Sequence, residues 1–357
     1  MRRNFRLRFG SYGAAIFAAA CFSFLLLVFP APASQKLRLA PKFIQGQSFR
    51  YRIAVNTVVS GNTTTPIVNP EGASLVKRSV NLEVRIDVLD ASSAAAAASP
   101  LRARLRLTAG KSSSTSETDA YDPAAAALDA GYDQFEGRSF EFSVLPDGVL
   151  SGFAGLEDVQ PRIPIEAALR TWISRIISAD SFPGGGIAIG QRWTAEKPVV
   201  GAPLRGLMWR AESSYLRDEP CHATDTTLAG GRAAASVSSD SEASTPTAPD
   251  PLPDTCAVVL TRFAVVRHGG SHGDLTPDDY IHNGLRTSGT WTGSGETLDS
   301  ISLSTGMLTV STETVSQEMD YQVRSAQTGS TLHYKGKTSS QSQITLLPQS
   351  SAPAQAP

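Results

Sequence analysis

Gly269, Gly270, Ser271, His272 and Gly273 spell the pattern that lifts a serine nucleophile onto a sharp strand-to-helix turn, and a strand-like run from Cys256 to Val266 stands before it. Acyl transfer from such a serine also needs the helix that follows, whose amide groups hold the oxyanion. Here the next residues, Asp274, Leu275, Thr276 and Pro277, are turn formers. A polar hairpin tip is therefore the simpler expectation, and a hydrolase built on Ser271 and His272 ranks third among the functions considered. The same stretch gathers His268, His272 and His282 around Asp274, Asp278 and Asp279. Imidazole and carboxylate together suit zinc or calcium, but this spacing matches no tight ligand set, and Thr276 to Asp279 is ordinary helix-cap chemistry. His222 and His333 stand alone. No glycine-rich loop follows a strand and opens a helix, so no phosphate cradle is expected. No catalytic, metal or cofactor-binding residue is assigned, and an enzyme is the less favoured class.

Two cysteines remain beyond the leader described below, Cys221 and Cys256, and a disulfide between them is expected in an oxidising compartment. The residues between them are dominated by Ala, Ser, Thr, Asp and Pro, so the bridge would staple the base of an excursion unable to bury itself. The four tryptophans, Trp172, Trp193, Trp209 and Trp291, are candidates for the core or for the lining of an apolar cavity.

Arg2, Arg3, Arg6 and Arg8 precede an apolar run from Ala14 to Phe29 that ends in Ala31, Pro32 and Ala33. This is the order of a signal peptide, and residues 1–34 are set apart on that ground. Export to the periplasm or beyond follows as an expectation, with an uncleaved inner-membrane anchor as the alternative and the only expected link to a membrane. Arg2-Arg3-Asn4-Phe5 also resembles a twin-arginine signal. The net charge is −1, and it falls to −5 once the four leader arginines are gone. That surface argues against nucleic acid as a partner.

Strand periodicity dominates the rest. Val80, Leu82, Val84, Ile86 and Val88 alternate with polar residues, as do Leu101, Ala103, Leu105 and Leu107, then Phe49, Tyr51, Ile53 and Val55, and Phe140, Phe142 and Val144. Period two with one polar face means antiparallel sheet with one wet side. Leu204–Leu216, Cys256–Val266, Leu285–Trp291 and Thr331–Leu346 complete the strand-like runs, while Gly289, Gly293 and Gly295 suggest bulges or strong curvature. One helix is predicted from Pro164 to about Ile177, with Ile165, Leu169, Trp172 and Ile176 on one face. Ser92–Pro100 and Lys111–Ala130 read as long loops.

The predicted fold class is thus all-β with one connecting helix, in two curved antiparallel half-sheets or half-barrels. The first half spans 35–163 and the helix with a glycine-rich joint 164–186. The second half spans 187–347, with a disordered insertion at 222–255, and a disordered tail covers 348–357. Phe43-Ile44-Gln45-Gly46-Gln47-Ser48-Phe49 is echoed by Ile187-Ala188-Ile189-Gly190-Gln191-Arg192-Trp193, and the turn at Gly148 by that at Gly306. Such echoes suit an internal duplication, or simply the frequency of turn glycines.

Phe182, Pro183, Ile187, Ile189, Gly190, Gln191, Arg192 and Trp193, with Tyr215 and the late Asp299, Leu303, Thr305, Gly306, Leu308 hairpin, resemble a family of uncharacterised secreted bacterial β-rich proteins. The resemblance implies the β fold and export and supplies no activity and no site residues. The functional expectation is therefore architectural: a non-enzymatic envelope protein holding a lipid or other apolar ligand between its sheets. The alternative is a ligand-free structural scaffold that docks envelope proteins.

Overall fold

The computed structural model describes residues 36–64, 74–91, 102–145, 148–157, 159, 162–177, 182–199, 201–221, 254–269 and 274–348. The leader, the alanine-rich run at 92–100, most of the 222–255 insertion, Ser271, His272 and the end of the tail lie outside them. Among the described residues the chain forms one large antiparallel sheet that does not close.

β1 (Ser48–Thr64), β2 (Leu75–Ala91), β3 (Ala103–Thr118), β4 (Ser139–Val144) and β5 (Leu150–Ala154) come first, with helix α1 (Pro123–Asp133) between β3 and β4. Helix α2 (Arg162–Ile177) then leads to β6 (Arg192–Pro198), β7 (Leu207–Pro220) and β8 (Thr255–Arg267). A short α3 (Asp278–His282) precedes β9 (Leu285–Ser302), β10 (Leu308–Ser325) and β11 (Thr331–Leu347). The spatial order is β5-β4-β3-β2-β1-β11-β10-β9-β8-β7-β6. The chain thus starts at the centre, meanders to one edge, crosses on α2 to the opposite edge and meanders back. The half-sheets expected from the sequence are joined along β1 and β11, whose register runs from Arg50↔Leu347 to Thr64↔His333.

Both halves follow the same plan, and the echoed residues occupy the same places. In the first half the Gln47 amide donates to the Ile44 carbonyl at 3.0 Å and the Gly46 amide to Val88 of the next strand at 2.9 Å. In the second, the Gln191 amide donates to Ala188 at 2.9 Å and the Gly190 amide to Tyr215 of the next strand at 2.7 Å. Gly46 and Gly190 have φ of 82° and 81°, a region that favours glycine, which is why the same residue recurs there. The second echo lies at the β4–β5 hairpin in one half and the β9–β10 hairpin in the other, so β1–β5 correspond to β6–β10 and β11 is the strand that links them.

The core collects at one end of the sheet. Phe49, Tyr51 and Ile53 of β1, Val80 to Val88 of β2, Leu105 and Leu107 of β3, and Phe140, Phe142 and Val144 of β4 are buried beneath Ile165, Leu169, Trp172, Ile173 and Ile176 of α2. The alternation read from the sequence is what aims these side chains at the helix. The Tyr51 hydroxyl, wholly buried, donates to the Leu308 carbonyl at 2.9 Å, and burial pushes its pKa up. The chain from Lys36 to Phe43 straps this end: Leu37 pairs with Ile187, the Lys42 amide donates to Thr305, and Arg102 donates to the Pro41 carbonyl.

Lys111–Ala130 corrects the expectation of a loop. β3 runs on to Thr118, and Asp122 caps α1 by accepting from the Ala124 and Ala125 amides at 2.8 and 3.0 Å, with Pro123 in the first turn. Serines hid this strand because its covered face is satisfied by hydrogen bonds and not by apolar contact. Ser112 donates to the Tyr132 carbonyl, and Ser114 and Ser116 donate to Asp129, both residues of α1.

Candidate functional site

Cross-strand register sorts the helix-side face of the sheet into rows, since residues directly opposite in an antiparallel pair share a face. One row runs Tyr215, Val259, Asp299, Ser311, Ile344, Ile53 and Leu82, at the margin of the covered core. The next runs Ser213, Thr261, Thr297, Glu313, Ser342, Val55, Val80 and Ser114, and it is polar over most of its length. Ser213 and Thr261 share a hydrogen bond at 2.8 Å, and Thr297 donates to Glu313 at 3.3 Å.

Both larger helices reach this polar belt with an ion pair. Arg175, in the last turn of α2, donates to Glu313 at 3.2 Å, to the Ser342 hydroxyl at 2.8 Å and to Ser311. Asp129 of α1 receives Arg78 at 3.3 Å. Asp299 of β9 lies beside the Arg175 cluster. The residue as a whole is only partly buried, yet its Oδ1 is out of reach of solvent and has no hydrogen-bond partner. Burial pushes its pKa up to about 6, against the opposing pull of a Ser311 hydrogen bond and the Arg175 charge, with Glu313 adding to the rise.

Beyond the belt the same face continues without cover from α2, until at its far end the segment leading into α3 buries Thr287 of β9. Phe263, Gly295, Val315, Ser340 and Thr57 form the first open row, then come Trp209, Val265, Gly293, Gln317, Thr338 and Val59, then Trp291, Met319, Gly336 and Gly61, then Gly289, Tyr321 and Tyr334. These side chains are half-buried while most of their neighbours on the opposite face are exposed, the alternation of a strand with one sheltered side. From Val315 to Val323 this field extends about 27 Å along β10, and about 14 Å across β9 to β1.

Gly293 and Gly295, two of the glycines read as marks of bulges or curvature, and Gly336 give the rings somewhere to lie. A Cβ at Gly295 would stand 2.4 Å from Phe263 Cζ, one at Gly293 3.0 Å from Trp209 Cη2, and one at Gly336 2.4 Å from the Tyr334 hydroxyl. Each ring thus covers bare backbone, Tyr334 on its own strand, Phe263 on the adjacent one and Trp209 across β8 on β9, which shields the ladder hydrogen bonds there and keeps the field low. Trp209 meets Phe263 edge to face at 5.3 Å, and Tyr321 and Tyr334 lie 5.3 Å apart.

The four tryptophans divide between the two zones. Trp172 is 7% exposed in the covered core and Trp193 packs on Phe182 at its edge, while Trp209 and Trp291 lie in the open field. Cys221 and Cys256 form a disulfide with Cα atoms 5.0 Å apart, at the ends of β7 and β8 where the 222–255 excursion leaves and returns. The other side chains weighed for chemistry have local partners: His268 meets Glu196 and His333 meets Asp320, both at 2.8 Å, and Asp274 accepts from the Thr276 amide. His282 ends α3 at the surface. Among the described residues no group of three or more His, Cys, Asp or Glu is placed to hold a metal, and no helix is long and apolar enough to cross a membrane.

Sequence reasoning named two of the field's rings and missed the belt and the other rings. β10 was legible only at its first turn, because its sheltered face carries Ser311, Glu313 and Gln317 among apolar residues and so breaks the period-two signal.

The polar opposite face bears depressions of about 410 Å³ by Arg262, Glu296, Thr314 and Gln341 and about 340 Å³ by Arg106 and Glu141. The apolar field is open surface. Fold and site together define an open all-β sheet protein with a helix-covered core and an uncovered apolar extension. No family model matches the chain, and no curated protein matches it. Among solved structures, lipovitellin, in a study of its lipid-protein interactions, aligns over 88% of this chain at 11% identity and a TM-score of 0.41. The alignment covers 26% of the lipovitellin chain, so this chain spans about a quarter of that protein's length. Pseudomonas aeruginosa OccK11 aligns over 88% of this chain and 100% of its own, at 8% identity and a TM-score of 0.17.

Proposed function

We propose that this chain is a non-enzymatic binding protein of the cell envelope, exported by its leader, that holds a lipid or other elongated apolar molecule on the uncovered face of its sheet. One observation carries the reading. Beyond the polar belt the sheltered face carries a cluster of large apolar side chains that α2 does not cover, and Trp209, Phe263, Trp291, Met319, Tyr321 and Tyr334 there keep solvent contact. Apolar surface of that extent on a soluble chain is a place for something else to bind. The disulfide and the leader support a site beyond the inner membrane.

Native mass spectrometry and organic extraction of the purified protein test this directly. An aliphatic or sterol-like molecule should co-purify, and Met319→Asp, which sets a charge in the middle of the field, should expel it while far-ultraviolet circular dichroism is unchanged. A ligand-free wild type that also ignores added apolar probes would defeat the proposal. It would favour the scaffold reading, for which the seating of the rings on glycines is the supporting observation. Cell fractionation with thiol labelling checks the compartment: both thiols blocked and the product outside the cytosol is the expected result.

A further inference from the structure

We propose that the ligand of the open field is an anionic amphiphile, a carboxylate or phosphate on a long aliphatic tail, with its head on the β6–β8 flank and its tail along β9 to β11. The inference rests on the apolar-ligand reading above and adds the class of ligand. Along that flank the sheltered face changes character. Lys197 lies directly opposite Trp209, and Arg267 directly opposite Leu207, so two cations enter rows otherwise made of Leu207, Trp209 and Val265. The β8–β9 ladder runs to Ala264↔Ser294. One more residue sets Val265 beside Gly293, in keeping with the 3.2 Å between the Val265 Cγ2 methyl and the Cβ position of Gly293, and two further residues in the same register set Arg267 beside Trp291.

Two features there ask for an anion. The Arg267 side chain is exposed and makes no hydrogen bond or ion pair among the described residues, whereas neighbouring Arg205 is paired with Asp278 at 3.3 Å and His268 with Glu196. The Trp291 indole N–H is buried with no hydrogen-bond partner. Arginine, lysine and indole are all donors, and none of them can accept. A neutral head would leave the guanidinium with solvent alone, while an oxyanion would meet charge-assisted donors on one side and aromatic surface on the other. The tail then has a path away from the charges: Trp291 is opposite Met319, and Tyr321 and Tyr334 follow one row on.

Binding of dodecanoate and of 1-dodecanol to the full chain, followed by tryptophan fluorescence at pH 8 and low salt, separates charge from tail. Wild type should prefer the carboxylate about fivefold, the most that an exposed ion pair commonly contributes. Arg267→Gln should bring the two affinities within about twofold by weakening dodecanoate alone, and Arg267→Lys should keep the preference. Raised salt should shrink the preference in wild type and leave dodecanol unmoved. Equal binding of the two compounds by wild type, or an unchanged preference in Arg267→Gln, overturns the anionic head while the apolar-ligand reading stands. If neither compound binds, both fall.

Discussion

Asp299→Asn should stabilise this protein at neutral and alkaline pH, against the usual outcome of altering a buried polar residue. The carboxyl faces Ser311 and the Arg175–Glu313 pair, its Oδ1 has no donor, and burial pushes its pKa up to about 6 from an ordinary 3.8. Because the folded value lies above the unfolded one, the native state binds the proton more tightly. Stability is then full below about pH 4, falls as pH rises through the window from about 4 to 6, and stays reduced above it. A shift of about two units corresponds to roughly 3 kcal/mol, which the ionised carboxylate withholds from the folded state at pH 8. Asparagine keeps the shape and an acceptor and carries no charge, so about 1–3 kcal/mol should return at pH 8 and almost nothing at pH 4. Urea unfolding of both proteins at pH 4, 6 and 8 measures this, with the difference between the curves isolating one residue. Several exposed carboxylates, among them Glu141, Glu318 and Asp320, have pKa values drawn down by Arg106, Lys337 and His333 and act in the opposite direction in both proteins. A variant less stable than wild type at pH 8, or a difference that does not change between pH 4 and 8, would refute the reasoning.

Three further substitutions probe the belt, the field and the staple. Arg175→Met removes a guanidinium 15% exposed from a Glu313 carboxylate 24% exposed and should lower stability by about 2 kcal/mol in urea, with faster amide exchange in α2. Gly295→Ala sets a methyl 2.4 Å from Phe263 and 2.5 Å from the Thr314 carbonyl, so a loss of about 1–3 kcal/mol and altered near-ultraviolet aromatic dichroism are expected. Replacing Cys221 and Cys256 together by serine opens a link between positions 35 residues apart and should lower the unfolding free energy by about 4 kcal/mol, read from the urea midpoint.

Period-two alternation in β1, β2 and β4 made their core-facing residues legible one by one, because each of those strands has a dry face against α2 and a wet face outside. The same rule failed where a covered face is polar. Ser112, Ser114 and Ser116 look like loop residues in the sequence and are a strand whose hydroxyls are met by Asp129 and the Tyr132 carbonyl of a helix more than ten residues further on. β10 failed for the same reason, since Glu313 is sheltered only because Arg175 arrives from a different part of the chain.

Local chemistry alone therefore determined the strand-rich class, the place of α2, the turns at Gly148 and Gly306, and the cysteine pair, each of which depends on residues within one short segment or on composition. Tertiary structure alone decided that the two halves join through β1 and β11, that a polar belt divides the sheltered face, and that Trp172 is covered while Trp291 is not. Those outcomes depend on cross-strand register and on where a helix stops, quantities set by partners far apart in the chain, as when Thr57 meets Ser340, 283 residues on, and no local pattern of residue types carries them.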